Sequence, residues 1–327
     1  MTFKGLKFKI FGNVLQEFCY MLHLIMAVKR NSFVETLRKP YFTIRNHPFI
    51  YKNVINKEFK YSLSELTSLN SKQKHTVNKL QSNGIAVIDF TELFSQDEFN
   101  VLTSWIDLNE KNLVQRSKKK YLYSYYGTED YSKKLDLDNP FVRFYLSDTL
   151  LQIAIAYLGY IPSLYEVYIE KTVPVGKSLP TQSQNWHRDP EEKKTLKIFL
   201  YMNDVTIESG PFTYILGSHP TSKSKISNLF PQNLPHGSYP DASEIKKIVD
   251  NKLQYQAIAP RGTLIFCDTA GIHKGGHAIS DERVMSTGFY PSKKYSMKPL
   301  YNVSDLTNNE IIESKLGKLA LKVLGVE

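Results

Sequence analysis

The sequence predicts a mainly β protein with flanking helices (α+β), built around a double-stranded β-helix, or jelly roll. Between about residues 164 and 290, short apolar runs alternate with turns that contain Gly or Pro, which indicates many short strands. Helical patterns do not alternate regularly with these runs, and this argues against a doubly wound parallel sheet. Apart from one insertion, the helical patterns lie on either side of the region. Two facing antiparallel sheets bury short strands of this kind, so we expect a jelly roll.

The chain has 327 residues, enough for one large core, and β domains of that size are often single. We expect three parts. Residues 1–70 form an N-terminal extension, with one or two helices ending before Pro40 and an irregular arm over 41–70. Residues 71–300 form the jelly-roll domain, and residues 301–327 form a C-terminal helix.

The domain is expected to open with a helix, a strand and a second helix. Gly84 suits the end of the first helix, because Gly accepts the left-handed conformation there. Ser95 and Glu98 form a capping box for the second helix, in which each side chain satisfies a backbone N–H of the first turn. The predicted spans are residues 71–82 for the first helix, 85–90 for the strand and 95–107 for the second helix.

Residues 111–134 are rich in Lys and Tyr, including the run Lys118–Tyr121. Two interpretations stay open. The segment is either a solvated hairpin or loop whose tyrosines cover the sheet, or a lid that presents cations and phenols to an acidic substrate.

Four further elements complete the prediction. Apolar spacing predicts one amphipathic helix over 141–158. Alternation of apolar and polar residues over 164–171 predicts a strand. A polar insertion at 220–254, with a helix over 241–253, interrupts the strands and is expected to border the functional site. A last helix over 304–324 is expected to pack outside the barrel.

Two short stretches supply candidate metal ligands. His187 and Asp189 stand two residues apart, and at a strand end that spacing places both side chains on one face. A second imidazole, His273, lies in the stretch Gly271–Gly276. Two His and one carboxylate with open positions left over form the facial triad of non-haem Fe(II) oxygenases. His-x-Asp alone is a weak signal, because a surface His beside a solvated Asp is common.

The surrounding segments strengthen that signal. A strand-like run follows Asp189, then a Gly-x-Phe-x-x-x-x-Gly-Ser-His segment, then an Arg-Gly-Thr-Leu strand before His273, and finally a strand that begins with Arg283. This ordered set resembles the phytanoyl-CoA dioxygenase family of Fe(II)/2-oxoglutarate-dependent oxygenases. The resemblance covers roughly residues 80–292 and is sharpest over 184–290.

The resemblance implies a cupin-like jelly roll in which His187, Asp189 and His273 bind Fe(II), with 2-oxoglutarate and O₂ as co-substrates. It also implies that Arg283, ten residues after His273 (283 − 273), binds the far carboxylate of 2-oxoglutarate. A guanidinium suits that role because it grips a carboxylate through two parallel N–H groups and stays charged. His277 in the same loop is an alternative ligand. The family's distal His precedes a Gly pair and lies ten or eleven residues before the Arg, which favours His273.

Three more residues are candidate cofactor contacts. Lys197 and Tyr201 share a face of the strand after Asp189, and they either line the pocket or belong to ordinary sheet surface. Arg188 should face away from the ligands by alternation, although at a strand end it could still reach a co-substrate carboxylate. His219 ends the Gly-Ser-His turn and is not expected to bind metal.

Composition limits the partners and the compartment. The formal net charge is +10 (42 − 32), and residues 1–40 carry +5 of it. The remaining basic residues form no Arg-rich helix or aromatic stripe, so we expect no nucleic-acid partner but an acidic substrate or co-substrate. The two cysteines, Cys19 and Cys267, form no Cys-x-x-Cys unit or disulfide framework. A reducing compartment such as the cytoplasm suits them.

The N-terminal apolar run is short. Phe18–Val28 spans eleven residues, and a transmembrane helix needs about twenty. No cleavage-site pattern of a secretory signal follows it. We expect an amphipathic helix packed on the domain, and a membrane-surface contact through residues 1–30 is the alternative.

Together these features predict a dioxygenase that abstracts hydrogen from an unactivated C–H of a small, acidic or amino-acid-like metabolite, in a specialised biosynthesis. Hydroxylation, desaturation and oxidative cyclisation all begin in this way. Asp189 argues against halogenation, because related halogenases replace that carboxylate with a small residue. One alternative is a non-catalytic jelly-roll protein that binds a small molecule. Another is a zinc hydrolase with the same triad, for which the sequence offers no general-base signature. The sequence predicts no oligomeric state.

Overall fold

A computed structural model describes residues 68–116, 119–125, 137–176, 178–189, 192–224, 226, 253–291 and 317–324. Three predictions lie wholly or largely outside these residues: the extension before residue 68, the insertion helix over 241–253 and the first part of the helix over 304–324.

Helices flank two antiparallel sheets in the described part of the chain. Its α-helices are α1 (Ser71–Asn83), α2 (Gln96–Asn109), α3 (Pro140–Tyr145), α4 (Asp148–Leu158) and α5 (Lys318–Leu324). Its strands are β1 (Ile85–Asp89), β2 (Val114–Arg116), β3 (Lys119–Tyr125), β4 (Glu166–Thr172), β5 (Leu196–Tyr201), β6 (Thr213–Ile215), β7 (Gln254–Gln256), β8 (Thr263–Cys267), β9 (His273–Lys274) and β10 (Arg283–Tyr290). The large sheet has the order β1-β8-β5-β10-β4-β3-β2, and the small sheet has the order β7-β6-β9. All of these neighbours pair antiparallel, so the mainly β prediction with flanking helices is confirmed.

The opening elements match the sequence. The α1 helix ends at Gly84, whose φ of 79° lies in the left-handed region. Both halves of the Ser95–Glu98 capping box are present at α2, which extends to Asn109. Residues 114–125 contain a β2–β3 hairpin, as the first interpretation of residues 111–134 expected.

The single helix predicted over 141–158 is wrong, because the chain forms α3 and α4 instead. Ser147 between them has extended backbone (φ −64°, ψ 140°), which ends one helix and starts the next. Asn139 and Pro140 begin α3, since the Asn139 side chain accepts a hydrogen bond from the Phe141 amide. Apolar spacing could not reveal the break, because both short helices bury apolar residues in the same core.

The two faces of the large sheet differ. Its outer face, with residues such as Ile198 and Phe266, packs against the helices in one apolar core. Its inner face turns toward the small sheet, where Phe199 and Ile265 pack with Tyr214 of β6. The α5 helix, which is the described part of the helix predicted over 304–324, joins the outer core, and Leu321 is buried there.

Opposed residues of an antiparallel sheet share a face, so the strand register places other inner-face residues. Glu166, Phe289 and Lys197 form one row across β4, β10 and β5.

None of the helices in the described part of the chain has the length and apolarity needed to cross a bilayer.

Candidate active site

Backbone hydrogen bonds bring the three predicted ligands together. His187 and His273 form an isolated antiparallel bridge, with amide-to-carbonyl distances of 2.8 and 2.9 Å between the two residues. The Asp189 amide donates to the Thr269 carbonyl at 2.9 Å. One ligand atom from each of His187, Asp189 and His273 lies within 4.8 Å of the other two. His273 therefore meets His187 and Asp189, which precede it by 86 and 84 positions (273 − 187 and 273 − 189), at one point between the sheets.

Both imidazoles present a lone pair at the same ring position. His187 Nδ1 lies 2.9 Å from the Asn185 carbonyl oxygen, and His273 Nδ1 lies 3.0 Å from that of Gly271. A carbonyl oxygen can only accept, so Nδ1 of each ring carries the proton and Nε2 is free to bind a metal. Burial lowers the pKa of His187, and burial together with His187 lowers the pKa of His273 to about 3. Both rings are therefore neutral at physiological pH.

The two oxygens of Asp189 face different partners. Oδ1 lies 3.8 Å from His187 Nε2 and 4.0 Å from His273 Nε2. Oδ2 accepts a hydrogen bond from Lys197 Nζ at 2.7 Å. Burial opposes ionisation of this carboxyl, but Lys197 and the imidazoles outweigh burial and hold its pKa well below the usual range.

These donors fit a divalent metal ion. Two neutral imidazole nitrogens and one ionised carboxylate oxygen converge, which is the donor set of a facial Fe(II) site. Among the described residues, no other group of three or more His, Cys, Asp or Glu converges in this way.

Arg283 lies inside the protein, with 5% of its surface exposed. Its Nη1 donates to the Gly210 carbonyl, and its Nε has no hydrogen-bond partner among the described residues. Burial lowers its pKa, while the neighbouring Tyr201 raises it. The Tyr201 hydroxyl accepts from the Phe212 amide at 3.3 Å, and the Phe212 ring lies 5.6 Å from that of His273. A series of neighbouring contacts thus leads from Arg283 through Tyr201 and Phe212 to His273.

The other candidates lie away from the cluster. His277 Nε2 is 3.2 Å from the Gly176 carbonyl oxygen, so the structure brings His273 rather than His277 to the other two ligands. His219 is buried, with Nε2 3.3 Å from the Gln81 carbonyl oxygen. Arg188 is buried and donates to the Ala270 carbonyl at 2.7 Å. Its contact with a co-substrate stays a prediction.

Several further polar residues lie beside the cluster, and of these only Arg116 and Lys119 belong to a segment that the sequence singled out, the Lys- and Tyr-rich residues 111–134. Glu166, Tyr168 and Glu170 share the inner face of β4, and Glu170 pairs with Arg116 at 3.4 Å. Lys119 donates to the Ser183 hydroxyl at 3.0 Å, and its charge interacts with Asp189 and Lys197. Alternation along β4 could have shown that its acids share a face, but not that this face is the interior.

Asp268 was also missed, and it fixes the loop that carries His273. It is fully buried, and its carboxylate accepts from the Tyr157 hydroxyl at 2.5 Å and the Ala270 amide at 3.1 Å. The Tyr214 hydroxyl donates to the Asp268 carbonyl at 3.0 Å. A Cβ at Gly271 would lie only 1.8 Å from that hydroxyl oxygen, so only glycine fits there.

Comparison with known proteins gives one family match. The family model described as phytanoyl-CoA dioxygenase (PhyH) matches residues 80–285, which is more than half of the chain. No curated protein matches this chain.

Solved structures share the fold at low sequence identity. EctD from S. alaskensis, solved with 2-oxoglutarate and 5-hydroxyectoine, is 16% identical with a TM-score of 0.50, covering 73% of this chain and 83% of that one. This likeness confirms the jelly-roll prediction. HygX from Streptomyces hygroscopicus, solved with nickel, 2-oxoglutarate and hygromycin B, is 15% identical with a TM-score of 0.41, covering 69% and 88%.

Proposed function

This chain belongs to the phytanoyl-CoA dioxygenase family of Fe(II)/2-oxoglutarate-dependent oxygenases, and we propose that it abstracts hydrogen from an unactivated C–H of a small metabolite. The convergence of His187, Asp189 and His273 within 4.8 Å carries the proposal. We assign Fe(II) to these three residues, and 2-oxoglutarate to the open positions beside them.

Each group of the chain has a role in this assignment. When bound, Fe(II) with O₂ and 2-oxoglutarate supplies the oxidising power that removes the hydrogen, and the co-substrate leaves as succinate and CO₂. Arg283 holds the far carboxylate of 2-oxoglutarate, because it is a buried cation whose Nε has no hydrogen-bond partner among the described residues. Tyr201 lies beside that guanidinium. The Phe212 ring, which lies against the His273 ring, keeps water from the space between the Arg283 guanidinium and His273.

The substrate we propose is acidic or amino-acid-like. Lys119 and Arg116 supply positive charge near Asp189, while Glu166 supplies an acid on the same side of the sheet. A molecule that carries a carboxylate, with or without an amino group, would find complementary charge there. Hydroxylation, desaturation and oxidative cyclisation are all compatible with the ligand set, and a specialised biosynthesis is the context we propose.

We also propose the cytoplasm as the compartment. Cys267 is a free, buried thiol, and a reducing environment keeps such a thiol and an Fe(II) site intact.

An anaerobic titration tests the proposal. Adding Fe(II) and then 2-oxoglutarate to the purified protein should produce a weak visible charge-transfer band, and admission of air should consume 2-oxoglutarate. A His187→Ala/His273→Ala double variant is the control and should show neither change. Folded wild-type protein without the band and without consumption would refute the proposal.

A further inference from the structure

We propose that Lys197 is a positioning residue that holds Asp189 to a single oxygen toward the metal. This inference rests on the metal site proposed above. It assigns Lys197 to the ligand carboxylate, whereas the sequence left it as either a pocket contact or ordinary sheet surface.

The geometry of the carboxylate carries the inference. Oδ1 is the oxygen that faces both imidazoles, at 3.8 and 4.0 Å from their Nε2 atoms. Oδ2 is held by Lys197 Nζ at 2.7 Å, a charge-assisted hydrogen bond. Lys197 is the only hydrogen-bond donor that the described residues direct at this carboxylate. One oxygen is therefore left for the metal, and the other is engaged.

Lys197 is itself held in place. It lies on β5, and its Nζ sits 5.0 Å from the centroid of the Phe289 ring on β10, a cation–π contact. Its side chain is only 20% exposed, so its ammonium has little freedom to move toward water. A donor fixed by two strands can orient the carboxylate more strictly than a mobile surface lysine.

The consequence concerns open coordination positions. A carboxylate free to rotate can bind a metal through both oxygens, and it would then occupy a position that 2-oxoglutarate and O₂ require. Partners that orient metal ligands typically change metal affinity or activity by about 10–100-fold when removed. Lys197 also carries a positive charge that repels a divalent ion. Removing Lys197 therefore weakens metal binding through the lost orientation of Asp189 and strengthens it through the lost repulsion, and a test must separate these two effects.

The test compares three variants by anaerobic titration with Co(II), whose visible absorption reports coordination. Lys197→Met removes charge and hydrogen bond, Lys197→Arg keeps both, and Lys119→Met removes a neighbouring charge without touching Asp189. We expect Lys197→Met to bind Co(II) about 10–100-fold more weakly and to show an altered absorption spectrum. Lys197→Arg should recover most of the affinity, and Lys119→Met should bind as tightly as wild type or more tightly.

Three results would overturn the inference. Tighter Co(II) binding by Lys197→Met would make the lysine a mere competing charge. Unchanged Co(II) binding with weaker 2-oxoglutarate binding would assign it to the co-substrate. An unchanged Co(II) affinity and spectrum would leave it no role at the metal. Failure of the wild type to bind Co(II) would instead refute the proposed site itself. Thermal unfolding checks that each variant is folded, and Lys197→Gln replaces the methionine variant if that one is not.

Discussion

The outer and inner faces of the large sheet are both buried, but the inner face adds charged side chains to its apolar ones. Along β4, Val167 and Ile169 point outward into the apolar core under the helices, while Glu166, Tyr168 and Glu170 point inward. The same strand therefore stabilises the fold with one face and lines the site with the other.

Burying charge costs free energy unless partners compensate for it. The outer face avoids that cost, because its core cluster is made of apolar and aromatic side chains. The inner face accepts it, because Lys197 and Arg283 are both largely removed from water, and Asp189 is largely buried beside Lys197. The difference suggests that stability depends mainly on the outer face and ligand binding on the inner face, so changes on the two faces should have separable effects.

The largest expected change in free energy should come from a substitution in the outer face. Phe266 is fully buried in the outer core, and Phe266→Ala should lower the free energy of unfolding by about 3–5 kcal/mol. Chemical denaturation measures this loss. The remaining folded protein should bind Fe(II) as wild type does. Normal stability combined with lost metal binding would break the distinction between the faces.

Arg283→Leu should give the complementary result on the inner face. Fe(II) affinity should persist, while 2-oxoglutarate affinity should fall by about 2–5 kcal/mol, as for a buried charge pair broken on one side. Titration of the charge-transfer band measures the affinity. Arg261→Leu is the matched control, because Arg261 lies over the Phe99 ring in the outer core and away from the ligands. An unchanged co-substrate affinity in Arg283→Leu would overturn the assigned role.

Acid should destabilise the metal-free protein through its ligand histidines. Burial and His187 lower the pKa of His273 to about 3, whereas an unfolded His titrates near 6.5. Between these values the unfolded state binds a proton that the native state does not, so stability falls as pH falls, by up to about 1.4 kcal/mol per pH unit. Denaturation in chelator at several pH values should give a shallower slope for His273→Gln. Equal slopes would show that His273 stays accessible to protons.

The smallest effect should come from Glu166→Gln. Burial raises the pKa of Glu166, so the native state holds its proton more tightly than the unfolded state does. The contribution of Glu166 to the free energy of unfolding therefore becomes less favourable as pH rises through that raised pKa. The variant should be more stable than wild type near pH 8, by under about 1 kcal/mol, and equal to it near pH 4. A less stable variant at pH 8 would mean that Glu166 has a partner that stabilises it.

Local signals in the sequence predicted most of the outer architecture. Gly84 and the Ser95–Glu98 capping box act through their own neighbouring backbone, so their effect can be read from a few residues. The break at Ser147 could not, because it depends on how α3 and α4 share a core with the rest of the domain.

The site was predictable only where residue order carried information. Spacing and family resemblance selected His187, Asp189 and His273, which the structure brings together. The role of Lys197 remained ambiguous, because alternation shows which residues share a face of a strand but not which side chain each of them contacts. Asp268 gave no signal at all, since its partner Tyr157 lies 111 residues away.

A crystal soaked anaerobically with Fe(II) and 2-oxoglutarate tests the central claim most directly. The account predicts an iron anomalous peak bonded to Nε2 of His187 and His273 and to Oδ1 of Asp189, with the far carboxylate of 2-oxoglutarate on Arg283. Iron bound elsewhere, or a carboxylate that avoids Arg283, would contradict it.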